Sequence, residues 1–333
     1  MKLYVGITDF DWFSLHASKE FVEDVNFWRP SPQANFKVLQ KGEPFLFKLH
    51  APHNYIVGGG FFLRFLPLPL SLAWAAFKEG NGARTLEEVR LRIAKYRRQP
   101  IGPAEDPVIG YTLLGEPFFF AESDWIPSPP DFKGPIVSGK SYDMETGTGL
   151  ALWKEVTARL TALAERARSV PGAVATGSTP HLHLSLGPAT LAAIDPPRYG
   201  TPTLVAPRLG QGSFRALITD AYSYRCAITR ERTLPVLQAA HIRPYAEGGS
   251  HELSNGLLLR SDLHTLFDQH YLTVDPNNRT LLVSRRILEQ FENGRDYYAL
   301  NNRSLLQPTE ALALPSTENL AFHFDRFSDL EAS

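Results

Sequence analysis

The chain has 333 residues, with 34 Lys and Arg against 35 Asp and Glu, so its formal net charge is -1. This length exceeds what most single compact cores use and favours two domains of ordinary size. The balanced charge excludes the global basic field by which some proteins hold nucleic acid regardless of fold, so any such contact must come from local patches.

The cysteine content and the apolar runs bound the cellular setting. Cys226 is the only cysteine, which excludes an intrachain disulfide and a zinc cage of paired cysteines. The chain reaches Asp9 before any long apolar run, so its opening residues predict a first strand and not a signal peptide. The longest apolar candidate, 65–77, contains two prolines and is shorter than the roughly 20 residues of a spanning helix. We expect a soluble cytoplasmic protein with no membrane partner.

The amino-terminal part, up to about residue 143, consists of short apolar runs broken by Pro and Gly, typical of a small aromatic-rich β domain. The strongest predicted strands are 45–49, 55–62 and 108–114. Helices are predicted over 70–77 and 85–96. Thr85 is suited to cap the second of these, because a glutamate follows three residues later.

A long amphipathic helix is predicted over 150–168, where apolar side chains recur every three or four residues. The stretches 171–179 and 196–212 are richest in Pro and Gly, which places the main boundary near Tyr199. The predicted organisation is an α+β chain with a recognition domain at 1–170, a linker at 171–207 and a second domain at 208–333.

The second domain places three polar residues in a strand, loop and helix arrangement. A strand predicted over 236–242 carries His241 near its end, and a turn follows at 247–250. A short helix over 261–269 carries His264 and Asp268, which are four residues apart and therefore share one face. This order is typical of a ββα-metal layout.

These residue types suit phosphodiester hydrolysis. A neutral imidazole can take a proton from water at pH 7, so we assign His241 as the general base. His264 and Asp268 can hold one divalent cation, Mg²⁺ or Mn²⁺, and leave positions for phosphate and water. Asn255 can fix the loop or orient the base histidine.

Each of these residues also has a plainer explanation. A lone buried histidine is more often a core residue, Asp268 could cap a helix or form an ion pair, and Asn255 before Gly256 is a common turn pair. Their combined order and spacing favours the nuclease hypothesis.

Five segments of the second domain carry a family resemblance: Cys226-Ala227-Ile228-Thr229, Ala239-Ala240-His241-Ile242-Arg243-Pro244, Gly248-Gly249, Asn255-Gly256-Leu257-Leu258-Leu259 and Asp262-Leu263-His264-Thr265-Leu266-Phe267-Asp268. Over about 209–283 the chain resembles the HNH endonuclease family, in the branch of predicted bacterial restriction enzymes. The resemblance implies that His241 is the base, Asn255 the orienting residue and His264 a ligand of one divalent metal ion.

One position departs from the family pattern. Many HNH enzymes place a metal ligand immediately before the base histidine, where this chain has Ala240. The metal would then depend on His264, Asp268, phosphate and water, or on Asn255 directly. Cys226 resembles a core cysteine of this branch, and we expect it to pack in the interior.

The amino-terminal part carries a second resemblance, through segments 26–30, 34–36, 41–47 and 56–61. These are similar to the PUA-like superfamily, which includes the EVE, ASCH and SRA readers of modified bases, β-barrels that hold a flipped nucleotide. Extracting a base costs a few kcal/mol, which stacking on aromatic rings and edge hydrogen bonds can offset. The candidates for contacting the nucleic acid or the base are Trp12, Trp28, Phe36, Tyr142, Asn35, Asp143 and Arg243. The alternative for each aromatic residue is that it fills the domain core.

The sequence therefore predicts a metal-dependent DNA endonuclease of restriction or phage defence that reads a modified base. Because one ββα-metal site cuts one strand, a homodimer is favoured for a double-strand break. The alternatives are a nuclease that reads an unmodified sequence, a non-catalytic nucleic-acid-binding protein on the same scaffold, and an enzyme directed at RNA. The tail after Arg286 is predicted to be a packing extension.

Overall fold

The computed structural model describes residues 1–30, 36–97, 100–102, 104–132, 136, 138–168 and 209–332. The chain separates into two units, Met1–Arg208 and Leu209–Ser333. Both contain helices and strands, so the α+β class is confirmed. The predicted linker at 171–207 lies outside the described residues, and the domain limits stay a prediction.

The described residues of the amino-terminal unit form one mixed sheet of seven strands. The strands are β1 Lys2–Thr8, β2 Asp24–Arg29, β3 Pro44–Leu49, β4 Tyr55–Pro69, β5 Val108–Phe119, β6 Ile126–Pro127 and β7 Gly139–Asp143. Their order is β2-β5-β4-β3-β1-β7, with β6 paired to β4. β1 and β3 are parallel, and the other neighbours are antiparallel.

In the described part of this unit, four α-helices accompany the sheet: α1 Phe10–Ala17, α2 Leu70–Phe77, α3 Leu86–Arg97 and α4 Gly147–Arg168. The three predicted helices are confirmed. The predicted cap of α3 is also present, because the backbone N–H of Glu88 donates to the Thr85 hydroxyl at 3.2 Å. The Glu88 carboxylate in turn accepts from the backbone N–H of Arg84 at 2.9 Å. Two N–H groups at the start of the helix thus gain partners.

Alternation along β3 divides the core of this unit into two clusters. Phe45 and Phe47 belong to one aromatic-rich cluster, and Leu46 between them belongs to the other, as the two-residue period of a strand requires. The second cluster also contains Leu152 and Val156 of α4, so this helix covers one side of the sheet.

Unit two contains a hairpin followed by a short helix. Its elements are α5 Gln211–Ala221, β8 Leu237–His241, β9 Gly256–Arg260, α6 Ser261–Asp268, β10 Leu272–Val274, β11 Leu281–Val283, α7 Arg286–Phe291, α8 Arg295–Tyr298 and α9 Thr317–Ala332. β8 pairs with β9, and β10 with β11, both antiparallel. The predicted helix at 261–269 and strand at 236–242 are confirmed within one residue at each end.

Helix α5 packs closely on the hairpin at Gly256. A Cβ atom there would lie 2.4 Å from the side chain of Ile218 and 2.9 Å from the ring of Phe214. Glycine is therefore needed for this approach of helix to strand. Cys226 is fully buried in the same core, which agrees with its expected packing role.

The tail contributes to this core through α9, where His323 is buried against the ring of Phe267 with centroids 3.8 Å apart. Its Nε2 lies 3.0 Å from the carbonyl oxygen of Phe267, and its Nδ1 lies 2.8 Å from the hydroxyl of Thr273. Because a carbonyl only accepts, Nε2 carries the proton and Nδ1 accepts from the hydroxyl. Burial, reinforced by His270, lowers the pKa of His323 to about 3.

This buried imidazole predicts an acid-sensitive carboxy-terminal unit. Above pH 6.5 the side chain is neutral in both the folded and the unfolded states, so it adds no pH dependence. Between about pH 6.5 and about 3 the unfolded chain binds a proton that the folded chain does not. The free energy of unfolding therefore decreases as the pH is lowered through this range. His323 should contribute a slope of about 1.4 kcal/mol per pH unit, measurable by calorimetry of the full chain.

The His323→Leu variant should be less stable at pH 7.5, because two hydrogen bonds are lost, yet it should lack this slope. Tryptophan fluorescence reports the unfolding of the amino-terminal unit separately, since all 5 tryptophans precede residue 169. An unchanged slope in the variant would show that other groups cause the acid sensitivity.

Candidate active site

His241 lies at the end of β8, opposite Gly256 of β9. The ring of Phe214 from α5 stacks on its imidazole, with centroids 4.2 Å apart and planes 8° from parallel. Burial, followed by the charges on His251 and His264, lowers the pKa of His241 to about 4. The imidazole is therefore neutral at pH 7 and able to accept a proton, as a general base requires.

Asn255 closes the loop that connects the two strands. Its side-chain oxygen accepts from the backbone N–H of Arg243 at 2.9 Å, and its amide nitrogen donates to the carbonyls of Arg243 and Ser250 at 3.0 and 2.8 Å. The residue is fully buried. This geometry fits the expected loop-fixing role. It argues against Asn255 as a metal ligand, because the oxygen is already engaged and shielded from solvent.

His264 and Asp268 share one face of α6, and His264 Nε2 lies 3.3 Å from a carboxylate oxygen of Asp268. His264 Nδ1 lies 2.7 Å from the side-chain oxygen of Gln238 on β8. Since that oxygen only accepts, Nδ1 donates to it, and Nε2 is left on the side of Asp268. The Nε2 atom is thus the nitrogen prepared for a metal ion, and Gln238 fixes its tautomer.

A cavity of about 490 Å³ brings these groups together. Its lining includes His241, His264, Asp268, Gln238 and Arg215. The imidazole and carboxylate pair fits a divalent cation with open positions, the arrangement that catalytic sites use. Within the described ranges, no three His, Cys, Asp or Glu side chains form a metal-binding group, so phosphate and water would complete the coordination.

The backbone of β8 explains the departure at Ala240. This residue is 0% exposed and belongs to the hydrophobic core, because alternation along the strand turns it away from the face of His241. The position before the base histidine therefore serves packing in this protein.

The motif did not reveal two residues that the fold adds to the site. The Nδ1 of His251 lies 2.9 Å from the Nε2 of His241, and Gln238 contacts His264. The signal for Gln238 was slight, a polar residue among the apolar residues that precede His241 in β8. We find no sequence signal for His251, since its contact depends on the path of the loop.

Among the proposed base-stacking residues, three lie in the interior of the amino-terminal unit. Trp12 is 4% exposed and packs edge-on against Phe47, with ring centroids 4.9 Å apart. Phe36 lies in the same aromatic cluster, and Tyr142 belongs to the other cluster, with its hydroxyl 3.2 Å from Asp131. All three side chains are buried, which favours the alternative that they fill the core, and their contact with a base stays a prediction.

Two of the remaining candidates, Trp28 and Asp143, are more accessible. Trp28 is half-buried, and its indole N–H donates to the carbonyl of Asn81 at 3.2 Å. Asp143 is exposed, while Asn35 lies outside the described residues. Arg243 donates to the carbonyl of Glu247 at 2.8 Å, and its guanidinium covers the ring of Phe322 at 4.5 Å, so its described contacts stabilise the loop.

Residues 226–275 match the model of the HNH_2 family, described as HNH endonuclease. The match contains His241, Asn255, His264 and Asp268, whose geometry is given above. The carboxy-terminal unit carries an HNH endonuclease domain. The predicted resemblance of this segment to HNH endonucleases is thereby confirmed, and it supports a nuclease.

Solved structures similar to the chain include two point mutants of an ASCH protein from Zymomonas mobilis. They align with TM-scores of 0.28 and 0.26 at 11% identity, and cover 48% of this chain and 95% and 97% of theirs. A modification dependent TagI restriction endonuclease aligns with a TM-score of 0.25 at 12% identity, covering 92% of this chain and 76% of its own.

No curated protein matches the sequence significantly. In the part of the chain that the structure describes, no helix has both the length and the apolar character needed to cross a membrane.

Proposed function

We propose that this nuclease is a metal-dependent DNA endonuclease of modification-dependent restriction. Its amino-terminal unit would read a modified base, and its HNH domain would hydrolyse phosphodiesters at the cavity around His241. The observation that carries the proposal is that His264 Nε2 lies 3.3 Å from the Asp268 carboxylate in the cavity that His241 also lines.

In the proposed reaction His241 accepts a proton from a water molecule in the cavity. The water oxygen forms a bond to phosphorus, and the bond from phosphorus to the 3′ oxygen breaks, with the electron pair leaving on that oxygen. Phe214 holds the plane of the imidazole by stacking, so the base meets the water in one orientation.

His264 and Asp268 would hold a divalent cation, Mg²⁺ or Mn²⁺. When bound, such an ion supplies positive charge to the phosphate and to the leaving oxygen. Arg215, half-buried in the wall of the same cavity, adds a fixed positive charge suited to a phosphate.

For base recognition we retain Trp28 and Asp143 among the described residues, with Asn35 as a further candidate. Trp28 supports this assignment because it is half-buried, unlike the rings packed in the two core clusters. The resemblance of the sequence segments to PUA-like readers supports the same assignment. A homodimer would let two sites cut two strands, and a cytoplasmic setting suits defence against incoming phage DNA.

The proposal is tested with matched plasmids that carry cytosine, 5-methylcytosine, 5-hydroxymethylcytosine or N6-methyladenine. Each is incubated with Mg²⁺ or Mn²⁺ and the wild-type protein, and the His241→Ala protein serves as the control. We expect cutting of one modified substrate, dependent on metal and lost in the variant.

The other outcomes separate the alternatives. Equal cutting of all four plasmids would reject modified-base reading, and sequence-dependent cutting of unmodified DNA would indicate a conventional restriction nuclease. Binding without any metal-dependent cutting would indicate a non-catalytic protein on this scaffold.

A further inference from the structure

His251 has a defined position although it lies on a loop outside the β8–β9 hairpin strands. Its Nδ1 lies 2.9 Å from the Nε2 of His241. The ring of Tyr245 stacks on it with centroids 5.0 Å apart and planes 14° from parallel, and the ring of Phe214 lies 5.7 Å away at 50°. Aromatic contacts thus hold the imidazole beside the base histidine.

The contact between the two imidazoles limits which nitrogen of His241 can take a proton. A short distance between two neutral rings requires that one nitrogen donates and the other accepts. If Nε2 of His241 accepted a proton from His251, the proton of His241 would lie on its Nδ1. Neither nitrogen of His241 could then take a proton from water. If Nε2 of His241 donates to His251, its Nδ1 keeps a lone pair, and this is the arrangement that catalysis needs.

We infer that His251 is a positioning residue that holds His241 in the Nε2–H tautomer, with Nδ1 as the basic nitrogen. The inference rests on the proposed function of His241. Before and after proton transfer the Nε2–H bond of His241 donates to the same acceptor, so the pair need not rearrange during the reaction. His251 would keep its own proton on Nε2 throughout.

Asn255 cannot supply this orientation directly. Its oxygen and its amide group bind the backbone of Arg243 and Ser250, which fixes the loop instead. The loop in turn carries His251, one residue after Ser250. The asparagine therefore acts on the loop, and the histidine acts on the base.

The test compares His251→Leu with His251→Asn in the full chain. Leucine has no acceptor, so kcat should fall about 10- to 100-fold with KM changed less than about 2-fold, as when an orienting partner is removed. Asparagine places an amide oxygen near the position of Nδ1 and should restore most of the rate. The matched control is His50→Leu, a histidine of the amino-terminal unit, which should cut like the wild type.

A second readout reports the tautomer itself. In the full chain labelled with ¹⁵N-imidazole histidine, the couplings of His241 should show a proton on Nε2 in the wild type and in His251→Asn. In His251→Leu the signal should move towards a mixture of tautomers. Calorimetry confirms that each variant is folded.

Wild-type kcat in His251→Leu, or equal losses in His251→Leu and His251→Asn, would overturn the positioning role. A wild-type spectrum with the proton on Nδ1 would overturn it as well. Full cutting by His241→Ala would instead reject the proposed function, and the tautomer spectra would still decide whether His251 holds the imidazole.

Discussion

His241→Ala is expected to lower the rate of DNA cleavage by about 10²- to 10⁴-fold, the usual range for loss of a general base. The side chain is neutral at pH 7, since its pKa is lowered to about 4, and it lies in the cavity beside His264. His323 lines the same cavity, but both of its ring nitrogens are hydrogen-bonded within the core, so neither is available to take a proton from water. The measurement is the single-turnover rate on the plasmid that the wild type cuts.

Two controls distinguish loss of the base from unfolding and from loss of DNA binding. Removal of the imidazole opens space against Phe214, so calorimetry should show that the variant is folded, and added free imidazole should restore part of the rate. DNA binding should be unchanged, because proton transfer and not affinity is lost. Retention of the wild-type rate by a folded His241→Ala protein would exclude His241 as the base.

His264→Ala is expected to weaken Mn²⁺ binding by at least about 100-fold and to lower cleavage by about 10³-fold, because a metal ion supplies several kcal/mol to the transition state. The Nε2 atom of His264 is prepared for the ion by the bond from Nδ1 to Gln238. Binding is measured by the paramagnetic resonance signal of free Mn²⁺ in a titration of the full chain.

A graded series accompanies this variant. Gln238→Leu keeps both ligands but releases the tautomer, so it should lose only about 10- to 100-fold in affinity. Asp268→Asn should fall between the two, since an amide oxygen carries no charge. If His264→Ala bound Mn²⁺ as the wild type does, the ion would have to occupy another site.

Local signals predicted the elements that position the site. Helix α2 follows directly on Pro69, and the sequence limits it to eight residues as observed. The pair His264 and Asp268 could be assigned to one face of α6 from its spacing alone, because i and i+4 residues adjoin on any helix. The order of strand, loop and helix then implied that His241 and His264 would meet.

Other parts depended on contacts between distant residues. Trp12 and Trp28 each have a phenylalanine next to them in the sequence, yet Trp12 is buried in the core and Trp28 is half-buried. The difference arises because Trp12 on α1 packs against Phe27, Phe47 and Phe119, which come from three different strands. His251 and Gln238 are 10 and 26 residues from their histidine partners, and no periodicity connects them. The interior position of Ala240 likewise follows from the register of β8 on β9.

The turn at Gly248 and Gly249 determines the path of the loop that follows His241. A Cβ atom on Gly249 would lie 2.0 Å from the carbonyl oxygen of Arg243, so the chain passes there with no room for a side chain. A substitution at Gly249 would remove no reacting group and no residue of the hydrophobic core. Loss of activity in a Gly249 variant would then result from a displaced loop and not from a missing reacting group.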